Sequence, residues 1–290
     1  MVLEVCAVMV SAAAQQGVDR YLAHVDGLLE GILTGFYLVG SIAPGSYRPA
    51  RSDIDFVALL STDLDRSQLR RLRMAHLRRG VWTATRAMRA GRSPLTGTLN
   101  GVFIREGDLR RPVTEIVPVA SQVGEHFFIG RAGSDVSPVA WKVLVERGIA
   151  IRGPDPDSLG LNTEPGRLRS WTARNLEDYW RPWAATVTGR PTCRFVLRPR
   201  WSTAWGVLGV SRLHCTITTG GVISKQAAAE YACSHFSERW RPLITEALDY
   251  WCEQPDRLAL PVRERAKLTA DFVNEIIDDG LRCSLHEHDR

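Results

Sequence analysis

The feature that most constrains this chain is a segment between residues 152 and 166 that is dense in helix- and strand-breaking residues. It contains Gly153-Pro-Asp-Pro and Thr163-Glu-Pro-Gly, and proline and glycine clusters of this kind mark turns and linkers. Before this segment, short apolar runs alternate with helical patterns, whereas after it apolar residues recur only at helical spacing. We therefore expect an α/β (α+β) domain over residues 1–155 and an all-helical domain over residues 156–290.

The first half is predicted to form five strands and three helices. The expected strands are residues 35–39, 54–60, 99–104, 113–119 and 149–151, and the expected helices are 5–32, 64–79 and 141–147. In the second half the periodicity predicts helices over residues 168–180, 203–217, 225–235, 239–252 and 261–279.

Composition restricts the class of protein. A chain of 290 residues is long enough for two domains of ordinary size, and 44% hydrophobic with 24% charged residues is typical of globular proteins. The chain lacks a run of 18 apolar residues, which argues against a membrane-spanning helix. Its apolar opening carries Glu4 and has no lysine or arginine before Arg20, unlike a signal peptide. We expect a cytoplasmic protein.

Cysteine spacing and net charge restrict the partners. The six cysteines form no CxxC pair and no zinc-finger spacing, so we expect reduced, mostly buried thiols. A net charge of +5, with nearly all cations arginine, is weak support for nucleic-acid binding. We expect neither a nucleic acid nor a membrane as partner.

The chemistry-bearing segment runs from Leu38 to Leu60. One predicted strand leads into Gly40-Ser41, a loop follows, and the next strand opens with Asp53-Ile-Asp55. Residues two apart on a strand share a face, so the two carboxylates are expected side by side. Such a pair repels unless a cation lies between them, and Mg²⁺ prefers carboxylate and phosphate oxygens. Gly40 permits close approach of the backbone to a phosphate, and Ser41 adds a hydroxyl donor.

Two simpler explanations apply to Asp-x-Asp patterns. The first pair could be solvated aspartates after a turn-rich loop, but both flanking strands are apolar. A second pattern, Asp63-Leu-Asp65, opens the next predicted helix. Because acidic side chains favour helix N-termini, we assign that pair to capping.

The Gly-Ser…Asp-x-Asp arrangement resembles the DNA polymerase β-like nucleotidyltransferase superfamily. The second half adds Ser211-Arg-Leu-His-Cys-Thr-Ile-Thr-Thr-Gly-Gly-Val-Ile-Ser-Lys225. This stretch is similar to the part of streptomycin/spectinomycin adenylyltransferases, enzymes of antibiotic resistance, in which an Arg-Leu or Arg-Ile pair precedes a Thr-Gly turn and a lysine.

The resemblance implies a fold and a reaction. The fold would be a nucleotidyltransferase domain with a small mixed sheet, followed by a helical domain. ATP would be the co-substrate, its AMP would pass to a hydroxyl of a small-molecule acceptor, and pyrophosphate would leave. Two Mg²⁺ ions would bridge the aspartates and the triphosphate in a cleft between the domains. The implied catalytic and metal ligands are Asp53 and Asp55, and the implied nucleotide contacts are Gly40, Ser41, Ser52, Arg212 and Lys225.

Lys225 and Arg212 can also be interpreted without the family resemblance. Ser224 is expected to cap the helix that Lys225 begins, and a lysine there opposes the helix dipole unless an anion is bound. The alternative is a surface lysine tolerated at small cost. Arg212 lies on a predicted helix that is apolar nearly all round, so it needs a partner. That partner is either an internal carboxylate or a nucleotide phosphate.

One position departs from the family pattern. The resemblance implies a third acid, the general base, at the start of the third strand, where this chain has Asn100. A neutral amide cannot accept the proton of a hydroxyl nucleophile. Another carboxylate could replace it, the metals could activate the nucleophile alone, or the chain could be a weak or inactive ATP/Mg²⁺-binding protein. Glu106, Asp108 and Glu115 follow in sequence, and we favour ordinary surface charge for them.

The acceptor side departs as well. Residues 179–229 contain no aspartate or glutamate but carry seven cations, ending with Lys225. A pocket for a polycationic aminoglycoside would need carboxylates, so we expect a different hydroxyl acceptor. Five tryptophans in or near this stretch could stack on a ring, although core packing is their commoner use. They are Trp171, Trp180, Trp183, Trp201 and Trp205.

Overall fold

A computed structural model describes residues 10–43, 45–89, 98–124, 126–131, 136–189 and 193–288. The chain divides into two compact units, Met1–Glu164 and Pro165–Arg290, here called the N-terminal and helical domains. The breaker-rich segment stays with the N-terminal domain beyond residue 155 because it is hydrogen-bonded there. The Asn162 amide N–H donates to the Leu109 carbonyl at 3.4 Å, and the Thr114 amide N–H donates to the Glu164 carboxylate at 2.8 Å.

The N-terminal domain contains a six-stranded mixed sheet with strand order β5-β4-β3-β2-β1-β6. The strands are β1 (Leu33–Val39), β2 (Ile54–Leu60), β3 (Leu99–Arg105), β4 (Ala120–Val123), β5 (His126–Ile129) and β6 (Ile149–Arg152). Only the β2–β3 pair is parallel, and the other neighbours pair antiparallel. The expected small mixed sheet is confirmed.

The central strands are buried because apolar side chains, which alternate between the two faces along each strand, pack against helices on both faces. The helices are α1 (Ala12–Leu29), α2 (Arg66–Arg89) and α3 (Pro138–Arg147). One face presents Phe36 and Phe56, stacked at 4.8 Å between ring centroids, in one core cluster with side chains of α1 and α2. The other face presents Tyr37 and Val57, which share a cluster with Trp141 of α3.

One predicted strand is wrong. Residues 113–119 do not form a strand: Val113–Glu115 is a single 3-10 turn, and a hairpin of β4 and β5 follows it. Pro112 and Pro118 flank this turn and lack the amide hydrogen that a ladder needs. Of the helix predicted over 5–32, residues 5–9 lie outside the described residues; α1 begins after the Ser11 cap and ends at Leu29, three residues earlier than predicted. α2 is longer than predicted and continues to Arg89.

The helices of the helical domain pack around α7. Its helices are α4 (Leu168–Asn175), a π-helical segment (Leu176–Trp180), α5 (Arg181–Gly189), α6 (Cys193–Leu197), α7 (Pro199–Thr219), α8 (Lys225–His235), α9 (Arg241–Trp251) and α10 (Val262–His288). The prediction of 225–235 is matched residue for residue, and α7 and α10 are longer than predicted. α5 and α6 were not predicted.

Close packing on α7 depends on a glycine. A Cβ built at Gly209 would lie 2.5 Å from the Trp180 indole, so only glycine lets this ring rest on the helix backbone. Trp180 is buried in the core, as expected of tryptophans in this stretch. Cys215, Cys233, Cys252 and Cys283 are free thiols, but of these four only Cys215 is buried, so the expectation of mostly buried thiols is wrong for the other three. In the described ranges we found no helix with the length and apolarity needed to cross a membrane.

Candidate active site

Gly40 and Asp55 pack against each other where β1 ends and β2 begins. The β-ladder places Val39 opposite Asp55, and Gly40 follows with a positive φ of 62°. A Cβ added to Gly40 would lie 1.9 Å from Asp55 Oδ2, so the carboxylate occupies the space that any other residue's side chain would need. The Gly40–Asp55 contact therefore requires glycine for both its backbone conformation and its lack of a side chain.

Asp53 is held from the neighbouring strand. The Thr98 hydroxyl donates to Asp53 Oδ1 at 2.8 Å, and the Asn100 amide donates to Asp53 Oδ2 at 3.2 Å. Both donors lie at the start of β3, which runs parallel to β2 with Asp55 opposite Asn100. These two bonds fix the orientation of the Asp53 carboxylate.

Asn100 is fixed on its other side by the β4–β5 hairpin. Its Oδ1 accepts a hydrogen bond from the Gly124 backbone N–H at 2.9 Å, while its amide hydrogen is directed at Asp53. The side chain is nearly buried. Asn100 is therefore a bridge between the hairpin and Asp53. Sequence reasoning missed Thr98 and Gly124, because their roles depend on strand register.

The loop between the two strands is closed by its own hydrogen bonds. The Ser41 carbonyl accepts from the Ser46 amide at 3.0 Å, and the Ser52 hydroxyl accepts from the Arg48 amide at 3.0 Å. Ser52, expected to contact nucleotide, therefore also shapes the loop. The buried Ser41 hydroxyl has no hydrogen-bond partner within the described residues. A buried hydroxyl without a partner is costly, and a ligand oxygen would satisfy it.

Tyr47 is a further residue of this loop that sequence reasoning did not single out. Burial raises the pKa of its hydroxyl above the ordinary value of 10.0, and the negative charge of Asp53 raises it further. The phenol therefore stays protonated near neutral pH and remains a hydrogen-bond donor beside the aspartates.

The acids that follow β3 lie at the other end of the strand. Asn100 is the second residue of β3, whereas Glu106 and Asp108 follow its last residue; the extended chain from Asn100 to Glu106 spans about 20 Å. Arg105 binds Asp108 at 2.7 Å and Asp63 at 3.1 Å. Glu106 accepts from the Thr34 hydroxyl at 3.3 Å. The interpretation as surface charge fits Glu106 and Glu115, which are exposed, but it is wrong for Asp108, which is buried and paired with Arg105.

The second Asp-x-Asp pattern is divided between two tasks. Asp65 forms a capping box with Gln68: its carboxylate accepts from the Gln68 amide at 2.8 Å, and the Gln68 side chain accepts from the Asp65 amide at 2.9 Å. The capping assignment is confirmed for Asp65. Asp63 instead pairs with Arg105.

The N-terminal site fits Mg²⁺ and a phosphate group by its chemistry. Asp53 and Asp55 offer hard oxygen ligands, as Mg²⁺ requires. Gly40 has no side chain of its own to keep a phosphate from its backbone, and the unsatisfied Ser41 hydroxyl lies next in sequence. Asp53 and Asp55 would hold the metal, and Gly40 and Ser41 would face phosphate oxygens.

In the helical domain, Arg212 ties two segments together. Its Nε donates to the Ile223 carbonyl at 2.8 Å, which joins α7 to the turn before α8. The side chain is half-buried. This backbone carbonyl is a partner that sequence reasoning had not considered beside a carboxylate or a phosphate.

Lys225 opens α8 as predicted, capped by Ser224, whose hydroxyl accepts from the Ala227 amide at 3.1 Å. Its ammonium Nζ lies 4.0 Å from the ring centroid of Trp251 and 5.7 Å from that of Trp205. Both distances are within the range of cation–π attraction. Arg212 and Lys225 are thus both next to the turn of residues 220–224: Arg212 bonds to its Ile223 carbonyl, and Lys225 follows it as the first residue of α8.

A network of hydrogen bonds between polar side chains joins α8 to α7 and α10 next to this turn. Tyr231 of α8 bonds to Thr218 at 3.0 Å and to His214 Nδ1 at 2.8 Å, and His214 Nε2 bonds to Asp279 of α10 at 2.8 Å. Burial lowers the pKa of His214 below its usual 6.5, against the opposing effect of Asp279. Burial alone would raise the pKa of Asp279, but hydrogen bonds from His214 and Arg282 outweigh it and the net change is downward.

The acid-free stretch receives carboxylates from other helices. Arg181 pairs with Glu177 and with Asp278 of α10, and Arg200 pairs with the buried Glu246 of α9 at 2.5 Å. These pairs neutralise part of the positive charge that the sequence alone suggested. The described parts of this stretch therefore offer a ligand fewer surplus cations than expected.

Comparisons with known proteins agree with this architecture. Residues 179–276 match the family model "Aminoglycoside adenylyltransferase, C-terminal domain". The fold is similar to that of spectinomycin adenyltransferase AAD(9) from Enterococcus faecialis, solved with ATP and spectinomycin: the TM-score is 0.66 at 15% identity, over 91% of this chain and 99% of that one. No curated protein sequence matches significantly. Within the helical domain, residues 179–276 therefore match the C-terminal domain of aminoglycoside adenylyltransferases, and the chain as a whole has a fold similar to that of a spectinomycin adenyltransferase.

Proposed function

We propose that this chain binds ATP with Mg²⁺ and transfers AMP to a hydroxyl group of a small molecule. The observation that carries the proposal is the Asp55 carboxylate packed on Gly40, with Asp53 held in place by β3. Two carboxylates beside a glycine and an unsatisfied buried serine hydroxyl make a site for a metal and a phosphate together. The family match of the helical domain supports the same chemistry.

In the proposed reaction, the acceptor oxygen forms a bond to the α-phosphorus of ATP, the bond to the departing pyrophosphate breaks, and the acceptor proton leaves. Mg²⁺ bound at the carboxylates would neutralise charge on the triphosphate and the leaving group. Thr98 and Asn100 orient Asp53 for that task. Gly40 admits the phosphate, and the Ser41 hydroxyl donates to it.

The acceptor proton has no obvious destination at Asn100. Its amide hydrogen is donated to Asp53 and its oxygen accepts from Gly124, so it offers no base. This observation favours a second candidate function: an ATP/Mg²⁺-binding protein with weak transfer or none. If transfer does occur, the proton passes to solvent or to another acceptor.

Lys225 and Arg212 are proposed to contact the nucleotide phosphates. That the same nucleotide also contacts Gly40 and Ser41 stays a prediction. If Lys225 binds the outer phosphates, Lys225→Ala weakens ATP binding more than AMP binding. Equal losses for both nucleotides would remove Lys225 from the triphosphate site. Isothermal titration with each nucleotide and Mg²⁺ measures both.

The proposed acceptor is a small hydroxyl compound other than a typical polycationic aminoglycoside. Because Arg181 and Arg200 are neutralised internally, this part of the proposal rests on the lack of carboxylates in the sequence of residues 179–229. A cytoplasmic location, where ATP is plentiful and thiols stay reduced, is part of the proposal.

Asp53→Ala and Asp55→Ala test the function, with Asp63→Ala as the matched control at the far end of the sheet. ATP plus Mg²⁺ at about 100 times Kd stabilises a binding protein by about 2.7 kcal/mol. We expect the wild type and the control to keep this thermal shift and the two site variants to lose most of it. A pyrophosphate-release screen over hydroxyl acceptors then separates transfer from binding alone. An unchanged shift in both site variants contradicts the metal assignment.

A further inference from the structure

We propose that Trp251 and Trp205 are positioning residues that hold the Lys225 ammonium ready for the outer phosphates of ATP. This inference rests on the proposed function. It starts from the two ring contacts of Lys225, whose Nζ lies 4.0 Å from the Trp251 centroid and 5.7 Å from the Trp205 centroid.

The two rings come from different helices and are themselves held. Trp251 is the last residue of α9 and is buried in the domain core. Trp205, on α7, stacks on Trp201 with centroids 5.5 Å apart and planes 7° apart, and it contacts Trp180 at 5.6 Å. Neither ring is a loose surface side chain, so together they can restrict where the lysine side chain reaches.

An aromatic ring face restrains a cation differently from a carboxylate. Arg200 and Arg265 are held by Glu246, and the negative charge of that partner cancels part of theirs. An indole face attracts an ammonium through its quadrupole but carries no net charge. These two ring contacts therefore order the long, flexible lysine stem without themselves cancelling the charge of the ammonium.

Ordering the stem matters because a free lysine loses much side-chain entropy when it is immobilised on a ligand. If the rings pre-order Lys225, part of that loss has already occurred in the unliganded protein. Removing a ring should then weaken the binding of ligands that Lys225 contacts and leave others unaffected. ATP and AMP differ only in the outer phosphates and so provide this comparison.

The experiment is isothermal titration of ATP and AMP, each with Mg²⁺, into Trp251→Leu, Trp251→Phe and Trp205→Leu. Trp240→Leu is the matched control, because Trp240 is an equally buried tryptophan of the same domain with a cation, Arg239, 4.7 Å from its centroid. We expect Trp251→Leu to weaken ATP binding about 3- to 30-fold, the range of a cation–π contact, with AMP unchanged. Trp251→Phe should recover most of the loss, and the control should change neither nucleotide.

A double-mutant cycle shows whether the rings act through Lys225. In a Lys225→Met background, Trp251→Leu should cause no further loss of ATP affinity. An equal loss in both backgrounds, or an unchanged ATP-to-AMP ratio in folded Trp251→Leu, overturns the inference. If Trp251→Leu does not unfold cooperatively, the half-buried Trp205→Leu carries the same test. Wild type that binds no ATP overturns the proposed function, whereas ATP binding that depends on Lys225 but not on the rings overturns the positioning role alone.

Discussion

Replacing Asn100 with aspartate tests both the site geometry and the question of activity. In the wild type, the Asn100 amide donates to Asp53 Oδ2 at 3.2 Å. In Asn100→Asp, a carboxylate oxygen takes the place of that donor, so a hydrogen bond becomes a contact between two negative charges. The other bond, from the Gly124 amide, is kept because a carboxylate oxygen accepts it equally well.

The cost follows from the distance. Two unit charges 3.2 Å apart repel by about 1 kcal/mol at the dielectric constant of water and by about 5 kcal/mol at an effective value of about 20. Protonation sets an upper limit: keeping a proton at pH 7 on a carboxyl of ordinary pKa costs about 4 kcal/mol. We therefore expect metal-free Asn100→Asp to be about 1–4 kcal/mol less stable than the wild type at pH 7.

The pH dependence has a definite sign. Repulsion raises the pKa of the carboxylate pair in the folded variant above the unfolded value of about 3.9. The folded variant then binds more protons than the unfolded chain, so its stability falls as pH rises through that interval. At about pH 4 and below, the difference from wild type should shrink, and Mg²⁺ at pH 7 should stabilise the variant more than the wild type.

The assay is denaturant unfolding with and without Mg²⁺, combined with pyrophosphate release. Asn162→Asp, which adds a carboxylate at an exposed position of the same domain, is the control. If Asn100 stands where a general base is missing, the variant should gain about 10²- to 10⁴-fold in transfer on a true acceptor. Equal stability of the two variants without Mg²⁺ would refute the Asn100–Asp53 contact. A fully active wild type that Asn100→Asp leaves unchanged would refute the missing-base reasoning.

Three further predictions use other contacts. Gly40→Ala should abolish the stabilisation by ATP plus Mg²⁺, because the new Cβ would clash with Asp55. The control Gly130→Ala has a similar φ of 60° and nothing within 4 Å of the new Cβ, so it should cost only the left-handed strain of about 1–2 kcal/mol. Thermal shifts with ligand compare the two variants, and equal shifts would contradict the clash. Because burial lowers the pKa of His214 below 6.5, the unfolded chain takes up its proton first, so stability should fall as pH drops below about 6.5, and His214→Gln should lose this slope in denaturant titrations. Glu246→Gln should cost about 1.5–3 kcal/mol in denaturant unfolding, since the buried Glu246 loses its ion pairs with Arg200 and Arg265 while Arg265 keeps Asp256; a cost below about 1 kcal/mol would show that these ion pairs are dispensable.

The domain order, most strands and most helices could be predicted from the sequence because they depend on local information, whereas the mixed sheet was implied only by the family resemblance. Apolar periodicity predicts β2 and α8 to the residue, and the helix cap at Ser224 is a property of a few adjacent residues. The prediction for residues 113–129 was wrong because it also depended on local information. Two prolines and short, half-exposed strands carry too weak a local pattern to distinguish a turn from a strand.

The contacts between side chains at the candidate site could not be predicted from the sequence pattern. The Asp-x-Asp motif and Asn100 were visible in the sequence, but the parallel register of β2 and β3 places Thr98 and Asn100 on Asp53. The same register places Glu106 and Asp108 at the far end of the sheet. Register depends on which strands pair, and strand pairing is a long-range contact.

The sequence by itself determined which residues carry charge and where the chain turns. Only the tertiary structure decided how those charges are compensated. Arg181 and Arg200 stand in a stretch without acids, yet their carboxylates arrive from other helices, while Lys225 meets two indole faces. The physical reason is that electrostatic and ring contacts act over a few ångströms in space, and residues far apart in the sequence come within that range only when the core packs.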